Sequence, residues 1–268
     1  MNGPLVERQA RDVVLTPFGR QALARVNQIL TGVQALEDSG NRRAGLSGQL
    51  SLGAIPTVAP YILPAALRAL RSADIGLDVE VTEAKTDRLV EMLHEGHLDA
   101  ALMALPSGGT GLIEVPLFED RFLLAGSAAR LQVVGLDALR PTALGDSQLM
   151  LLEDGHCLSD QALEVCGRSR EHSRINTGAS SLATLSRLVA AGFGLTLMPE
   201  LAAQVEQAAS PEMRFRRFQT PEPSRQIGLV RRQATPDDGW FTELERLLQE
   251  VGQGLQAQMR SVANDSGA

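Results

Sequence analysis

Two hydrophobic periodicities divide the chain. Leu23, Val26, Leu30 and Val33 recur at spacings of three and four, the apolar stripe of an amphipathic helix. Thr16-Pro17 supplies its start, with Thr as N-cap and Pro at the first helical position, where a missing N–H costs nothing. Asp38-Ser39-Gly40-Asn41 predicts its end. Such a stripe packs either on a partner helix or on the chain's own domain, and periodicity does not choose between them.

Beyond this point short strands alternate with helices. Strands are predicted over Gln49–Ile55, Leu77–Thr82, Ala100–Leu105, Val115–Leu117, Phe122–Ala125, Leu149–Leu152, Arg174–Thr177, Leu195–Met198 and Gln226–Val230. Helices are predicted over Tyr61–Arg71, Thr86–Glu95, Leu158–Cys166, Ser181–Ala191 and Trp240–Gln256. The alternation implies an α/β fold with parallel sheets and ligands at the C-terminal ends of the strands. The last residues, from Val262, read as a frayed tail.

Composition narrows the function. Aromatics are 3 % of the chain, so its cores are built from Leu, Val, Ile and Ala. The net charge of −7 argues against a nucleic-acid platform spread over the whole surface. No apolar run approaches the roughly 18 residues of a membrane span, and the start lacks a signal peptide; a cytoplasmic protein without a membrane partner is expected. Two cysteines, Cys157 and Cys166, are too few for a disulfide scaffold and are either packing residues or reactive thiols. No cofactor is expected. His156, Cys157, Cys166 and His172 lack the closely paired spacing of a zinc site, so no metal is expected either. His94 and His97 read as surface residues, and Arg214, Arg216 and Arg217 as the solvated face of an edge strand.

Several segments carry a resemblance. Leu5-Val6-Glu7-Arg8 with Val14-Leu15-Thr16-Pro17-Phe18-Gly19 resembles the last strand pair of the winged helix-turn-helix and the linker-helix start of LysR-type transcription regulators. Gly53-Ala54-Ile55-Pro56-Thr57 resembles their first effector strand and ligand loop, and Ala191-Gly192-Phe193-Gly194-Leu195-Thr196-Leu197-Met198-Pro199 their late helix–strand signature. Leu151-Leu152-Glu153-Asp154-Gly155-His156-Cys157-Leu158, with Asp160-Gln161-Ala162-Leu163 and Cys166, resembles the peroxide-sensing (OxyR) branch, and Arg225–Val230 adds to the match. The similarity runs from about Leu5 to Gln256. It implies two periplasmic-binding-protein-like subdomains of type II joined by crossover strands, after a long linker helix and a winged-helix remnant. The organisation expected is 1–16 for the remnant and 17–45 for the linker and dimerisation helix. Subdomain I takes 46–125 with 226–256, subdomain II with the redox site takes 126–225, and 257–268 is a disordered tail.

The resemblance also implies a regulator rather than an enzyme. Hydrogen peroxide would oxidise Cys157, Cys166 would resolve it as a disulfide, and a homodimer or tetramer would rearrange to control oxidative-stress genes. A thiol reductant such as glutaredoxin or thioredoxin would reset it. Most helices of the family's DNA-binding domain have no counterpart here, so DNA contact is expected only in a full-length form. A peroxide pocket of Thr57, Thr86, His156, Asp160 and Arg225 is implied as well. Read locally, Thr57 is equally a turn residue, Thr86 a helix cap and Asp160 a first-turn acid.

Cys157 sits near a helix start, where free N–H groups favour a thiolate, and a protonated His156 or Arg225 would add to this. Ser159 stands where the family often has Arg, removing one nearby cation. Nine helical residues span about 13.5 Å and place the two cysteines on opposite faces, whereas a disulfide needs Cα atoms roughly 4.4–6.8 Å apart. Disulfide formation therefore requires residues 158–165 to unwind. The competing functions are an effector domain that binds a small organic metabolite with silent cysteines, and a thiol peroxidase that turns over.

Overall fold

The computed structural model describes residues 4–8, 13–41, 46, 48–73, 77–134, 140–144, 149–167 and 179–265. β1 (Val6–Arg8) pairs antiparallel with β2 (Val13–Leu15), and α1 (Pro17–Asn41) follows at once. Thr16 caps it as expected: the Gly19 amide donates to its hydroxyl oxygen at 2.8 Å. The helix runs through Asp38-Ser39-Gly40 rather than stopping there, because a single Gly costs only about 1 kcal/mol in a helix. Leu23, Val26, Ile29, Leu30 and Val33 are 45–65 % exposed, so the stripe does not pack on the chain's own domain.

The first sheet has the order β4-β3-β5-β9-β6. β3 (Gln49–Ala54) lies parallel to both β4 (Asp78–Glu83) and β5 (Ala100–Leu105). β9 (Ser224–Arg232) runs antiparallel to β5 and to β6 (Leu112–Ser127). Leu52, Leu102 and Leu229 are fully buried, with Ile62 of α2 (Ala59–Ala73), Leu89 of α3 (Thr86–Glu95) and Leu244 of α8 (Trp240–Asp265). The sheet is mixed, not parallel throughout as the alternation suggested, because β9 arrives from the second half of the chain.

The second sheet forms around the last residues of β6. There β7 (Thr196–Pro199) and β8 (Met213–Arg217) pair antiparallel with it. Phe122, Leu124, Met150 and Met198 are buried, with Leu185 and Val189 of α6 (Leu182–Ala190). α4 (Ala128–Val134), α5 (Cys157–Val165) and α7 (Glu200–Ala209) complete this half. Leu149–Leu152 forms only isolated bridges, Leu149 to Leu195 and Leu152 to Ala179. The strand expected over Arg174–Thr177 lies outside the described residues.

Two strands were expected, interrupted by the polar run Glu119-Asp120-Arg121; one strand of sixteen residues, β6, is found, pairing along its length with β9 and then with β7 and β8. Each polar residue has a partner. Ser224 donates to Glu119 Oε1 (2.6 Å), Arg225 to Asp120 (2.9 Å), and Arg121 to Glu222 (3.0 Å). The strand crosses between sheets here, with the Phe122 amide donating to the Pro223 carbonyl at 2.8 Å.

Candidate functional site

Helix α5 begins where a turn permits it. Gly155 has φ +88°, a conformation that favours glycine, and it reverses the chain after Glu153-Asp154. His156 is the N-cap in extended conformation, without a side-chain cap bond, and Cys157 is the first helical residue. Leu158, Ala162 and Leu163 face the core, while Asp160 and Glu164 face out. Cys166 closes the helix as C-cap, its amide donating to the Ala162 carbonyl at 3.1 Å. Cys157 is half-buried, Cys166 is buried, and neither is in a disulfide. The whole segment between them is helical, so a rise of about 13.5 Å and a half-turn offset put their Cα atoms about 14 Å apart.

Lys85, the N-cap of α3, reaches the same turn from the end of β4. Its ammonium donates to Glu153 Oε1 at 2.7 Å and to the Asp154 carbonyl at 2.8 Å. It holds the Glu153 carboxyl below its usual value. Thr86 is thus not the cap: its hydroxyl is buried and has no hydrogen-bond partner among the described residues, like His156 Nε2 and Gln161 Oε1. Burial, and then the Lys85 charge, push the His156 imidazole below its ordinary value, against Glu153 and a hydrogen bond with the Ser180 backbone. His156 is therefore neutral at pH 7, so the condition under which it would add to the Cys157 thiolate is not met there. Burial and the neighbouring Asp87 raise the Asp160 carboxyl.

Arg225 and Thr57 come together in a buried network. The guanidinium donates to Thr57 Oγ1 (2.9 Å) and to the Thr57 carbonyl (3.1 Å), and it pairs with Asp120 (2.9 Å). The other Asp120 oxygen accepts from the Leu201 amide at the start of α7 (3.0 Å). Burial pushes the Asp120 carboxyl up, opposed by Arg225 and this amide.

A cleft of about 320 Å³ opens between the two sheets, lined by Pro56, Tyr61 and Lys85 on one side and Glu153, His156, Ser181 and Glu206 on the other. The Tyr61 hydroxyl donates to Glu206 Oε1 across it at 2.8 Å. Burial and this bond keep the phenol above its ordinary value. Lys85, Asp120, Tyr61 and Glu206 were not singled out in the sequence. Lys85 lies at a strand's C-terminal end, where ligands were expected; nothing local links Tyr61 to a residue 145 positions away. His94 and His97 are exposed, as anticipated. β8 is an edge strand, although its Arg217 is engaged by Glu200 and Glu222. Among the described residues no group of three His, Cys, Asp or Glu could hold a metal ion, and no helix is long and apolar enough to cross a membrane. His172 lies outside the described residues.

The profile of the LysR substrate binding domain family matches residues 43–259. The chain is 39 % identical over 249 residues to a "Probable hydrogen peroxide-inducible genes activator" of Mycobacterium avium, covering 92 % of this chain and 79 % of that protein. It is similar to a hydrogen-peroxide-bound cysteine-to-serine mutant of Corynebacterium glutamicum OxyR, with TM-score 0.75, 34 % identity, and 97 % and 83 % of the two chains covered. The oxidized form of that protein gives TM-score 0.70 at 34 % identity, covering 97 % and 82 %.

Proposed function

Because the chain belongs to the LysR family, beside its hydrogen peroxide-inducible OxyR members, we propose that it is a redox-sensing regulatory domain in which peroxide oxidises Cys157. The observation that carries this reading is the placement of the two thiols. One is half-exposed at the first residue of α5, the other is buried at its C-cap, and one helical element separates them.

The Cys157 thiolate attacks one peroxide oxygen, the O–O bond breaks, and the products are Cys157 sulfenic acid and hydroxide. The Cys166 sulfur then displaces that hydroxyl, which leaves as water with the Cys166 proton, and the disulfide forms. Neutral His156 and Thr86, whose Nε2 and hydroxyl have no hydrogen-bond partner among the described residues, offer the polar contacts a small peroxide needs. Asp160 stands at the helix start beside them. Thr57 and Arg225 act as a locked pair that holds the end of β3 to the strand crossing.

Disulfide formation requires α5 to unwind, which makes it the two-state element of the switch. The exposed stripe of α1 supports a homodimer or tetramer, and loss of α5 changes the surface presented to a neighbouring subunit. DNA is the regulator's further partner, as the name of its relative, a DNA-binding transcriptional dual regulator, suggests. A thiol reductant of the glutaredoxin or thioredoxin class resets the disulfide. Peroxide is sensed stoichiometrically, without turnover as a peroxidase.

Intact mass and non-reducing peptide mapping after one equivalent of hydrogen peroxide test this, with Cys157→Ser as control. A Cys157–Cys166 disulfide within minutes is expected in the parent and none in the variant. Survival of both thiols in excess peroxide would overturn the reading and favour metabolite binding in the cleft.

A further inference from the structure

Ser159 is the third residue of α5 and is 1 % exposed. Its hydroxyl donates to the Leu152 carbonyl at 2.9 Å, and its amide donates to the His156 carbonyl at 3.0 Å. Leu152 is itself buried and bridges to Ala179. One side chain thus ties the first turn of the helix to the extended segment that precedes it. The helix has no side-chain N-cap to do this work, since His156 makes no capping bond.

We propose that Ser159 is a positioning residue that latches α5 in its helical form and thereby sets how fast oxidised Cys157 reaches Cys166. The inference rests on the peroxide reading above.

The two steps of oxidation differ in what they ask of the helix. Sulfenic acid formation takes place with Cys157 where it stands and leaves the Ser159–Leu152 bond intact. Disulfide closure must bring Cα atoms from about 14 Å to about 4.4–6.8 Å, so the turn carrying Ser159 has to leave the helix. Breaking the tie exposes a buried carbonyl and hydroxyl to a search for new partners, and this belongs to closure alone. Leu158 and Leu163, both buried, resist unwinding as well, but apolar burial is non-directional. The hydroxyl bond instead specifies one placement of the first turn.

Removing the hydroxyl leaves the Leu152 carbonyl without this donor in the helical state and makes unwinding easier. Alanine's higher helix propensity opposes this, but by a smaller factor. One buried hydrogen bond is worth about three- to tenfold and the propensity difference about twofold, so the net expectation for Ser159→Ala is closure about two- to fourfold faster. Ser159→Gly, which loses the hydroxyl and also favours the unwound chain, should close faster still.

The test uses the full chain, reduced and then mixed with one equivalent of hydrogen peroxide. Sulfenic acid is trapped with dimedone and disulfide is followed by mass. The expected result is unchanged sulfenic acid formation, closure in the order Gly faster than Ala faster than Ser, and faster amide exchange of residues 158–165 in the reduced variants. A glutathione redox buffer should show the disulfide favoured by the same factor. Closure, exchange and glutathione equilibrium all unchanged in Ser159→Ala would overturn the latch, as would slower closure. If no sulfenic acid forms in any of the proteins, the peroxide reading fails. The glutathione equilibrium, which needs no peroxide, then decides on Ser159 by itself.

Discussion

Arg225→Met tests what holds the strand crossing together. Arg225 and Asp120 face each other on β9 and β6, and their side chains are each 1 % exposed. The substitution removes the charge that faces Asp120 and the donors to Thr57, but keeps much of the apolar stem. Breaking one partner of a buried pair costs about 3–5 kcal/mol. Here the lower end applies, because Asp120 keeps the Leu201 amide and can take up a proton. At roughly 2–4 °C per kcal/mol for a chain of this size, Tm should fall by about 6–12 °C at pH 7.

The sign with pH follows from the same residues. Without Arg225, burial is opposed only by the Leu201 amide among the causes named above, and it raises the Asp120 carboxyl further above the unfolded value. The folded variant then binds the extra proton, so its deficit shrinks as pH falls from 7 towards 5. Thermal unfolding by circular dichroism at both pH values, with Asp120→Leu and the double variant, measures this. The double variant should cost less than the sum of the singles by about 2 kcal/mol. A fall in Tm below about 2 °C, or strictly additive effects, would refute the reasoning.

Three further outcomes are expected. His156 has a folded value below its unfolded one, so it contributes stability that is present above about pH 6.5 and lost as pH falls below it; urea unfolding at pH 7.5 and 5.5 should show a smaller loss in His156→Gln. Lys85→Met should lift the His156 titration, followed by NMR, because a nearby cation is gone, while stability changes by no more than about 1 kcal/mol for a half-exposed pair; an unmoved titration would remove Lys85 from the site. Gly155→Ala forces a Cβ onto φ +88° and to 3.1 Å from Lys85 Cδ. It should lose about 1–2 kcal/mol in chemical denaturation, and no loss would show that the turn relaxes freely.

The regular elements were legible because their patterns are local. α3 and β5 begin and end where the apolar spacing places them, and α5 starts one residue before its expected position. β6 was split in the reading because Glu119-Asp120-Arg121 has the polarity of a loop, and only partners about 100 residues away make it a strand. α7 escaped notice since it buries Leu201, Ala202, Ala203 and an acid, Glu206, whose reason is Tyr61 on another helix. In the site, the cysteines and His156 were legible from one run of sequence. Their charges were not: His156 is kept neutral by burial and by Lys85, which come from the fold.

A strand that belongs to two sheets answers to two cores with one register. Phe122 and Leu124 are buried in the second sheet, while Val115 faces Leu229 in the first, and a bulge between Pro116 and Phe118 already shifts the pairing by one residue. Deleting or inserting a single residue between Phe118 and Phe122 would turn every side chain on one side of the crossing to the opposite face. The segment has no slack for length variation, although its polar sequence looks like a loop. Changes of length in this chain are tolerable at the outer edges of each sheet, and the middle of β6 behaves as a fixed-length axle on which both halves are mounted.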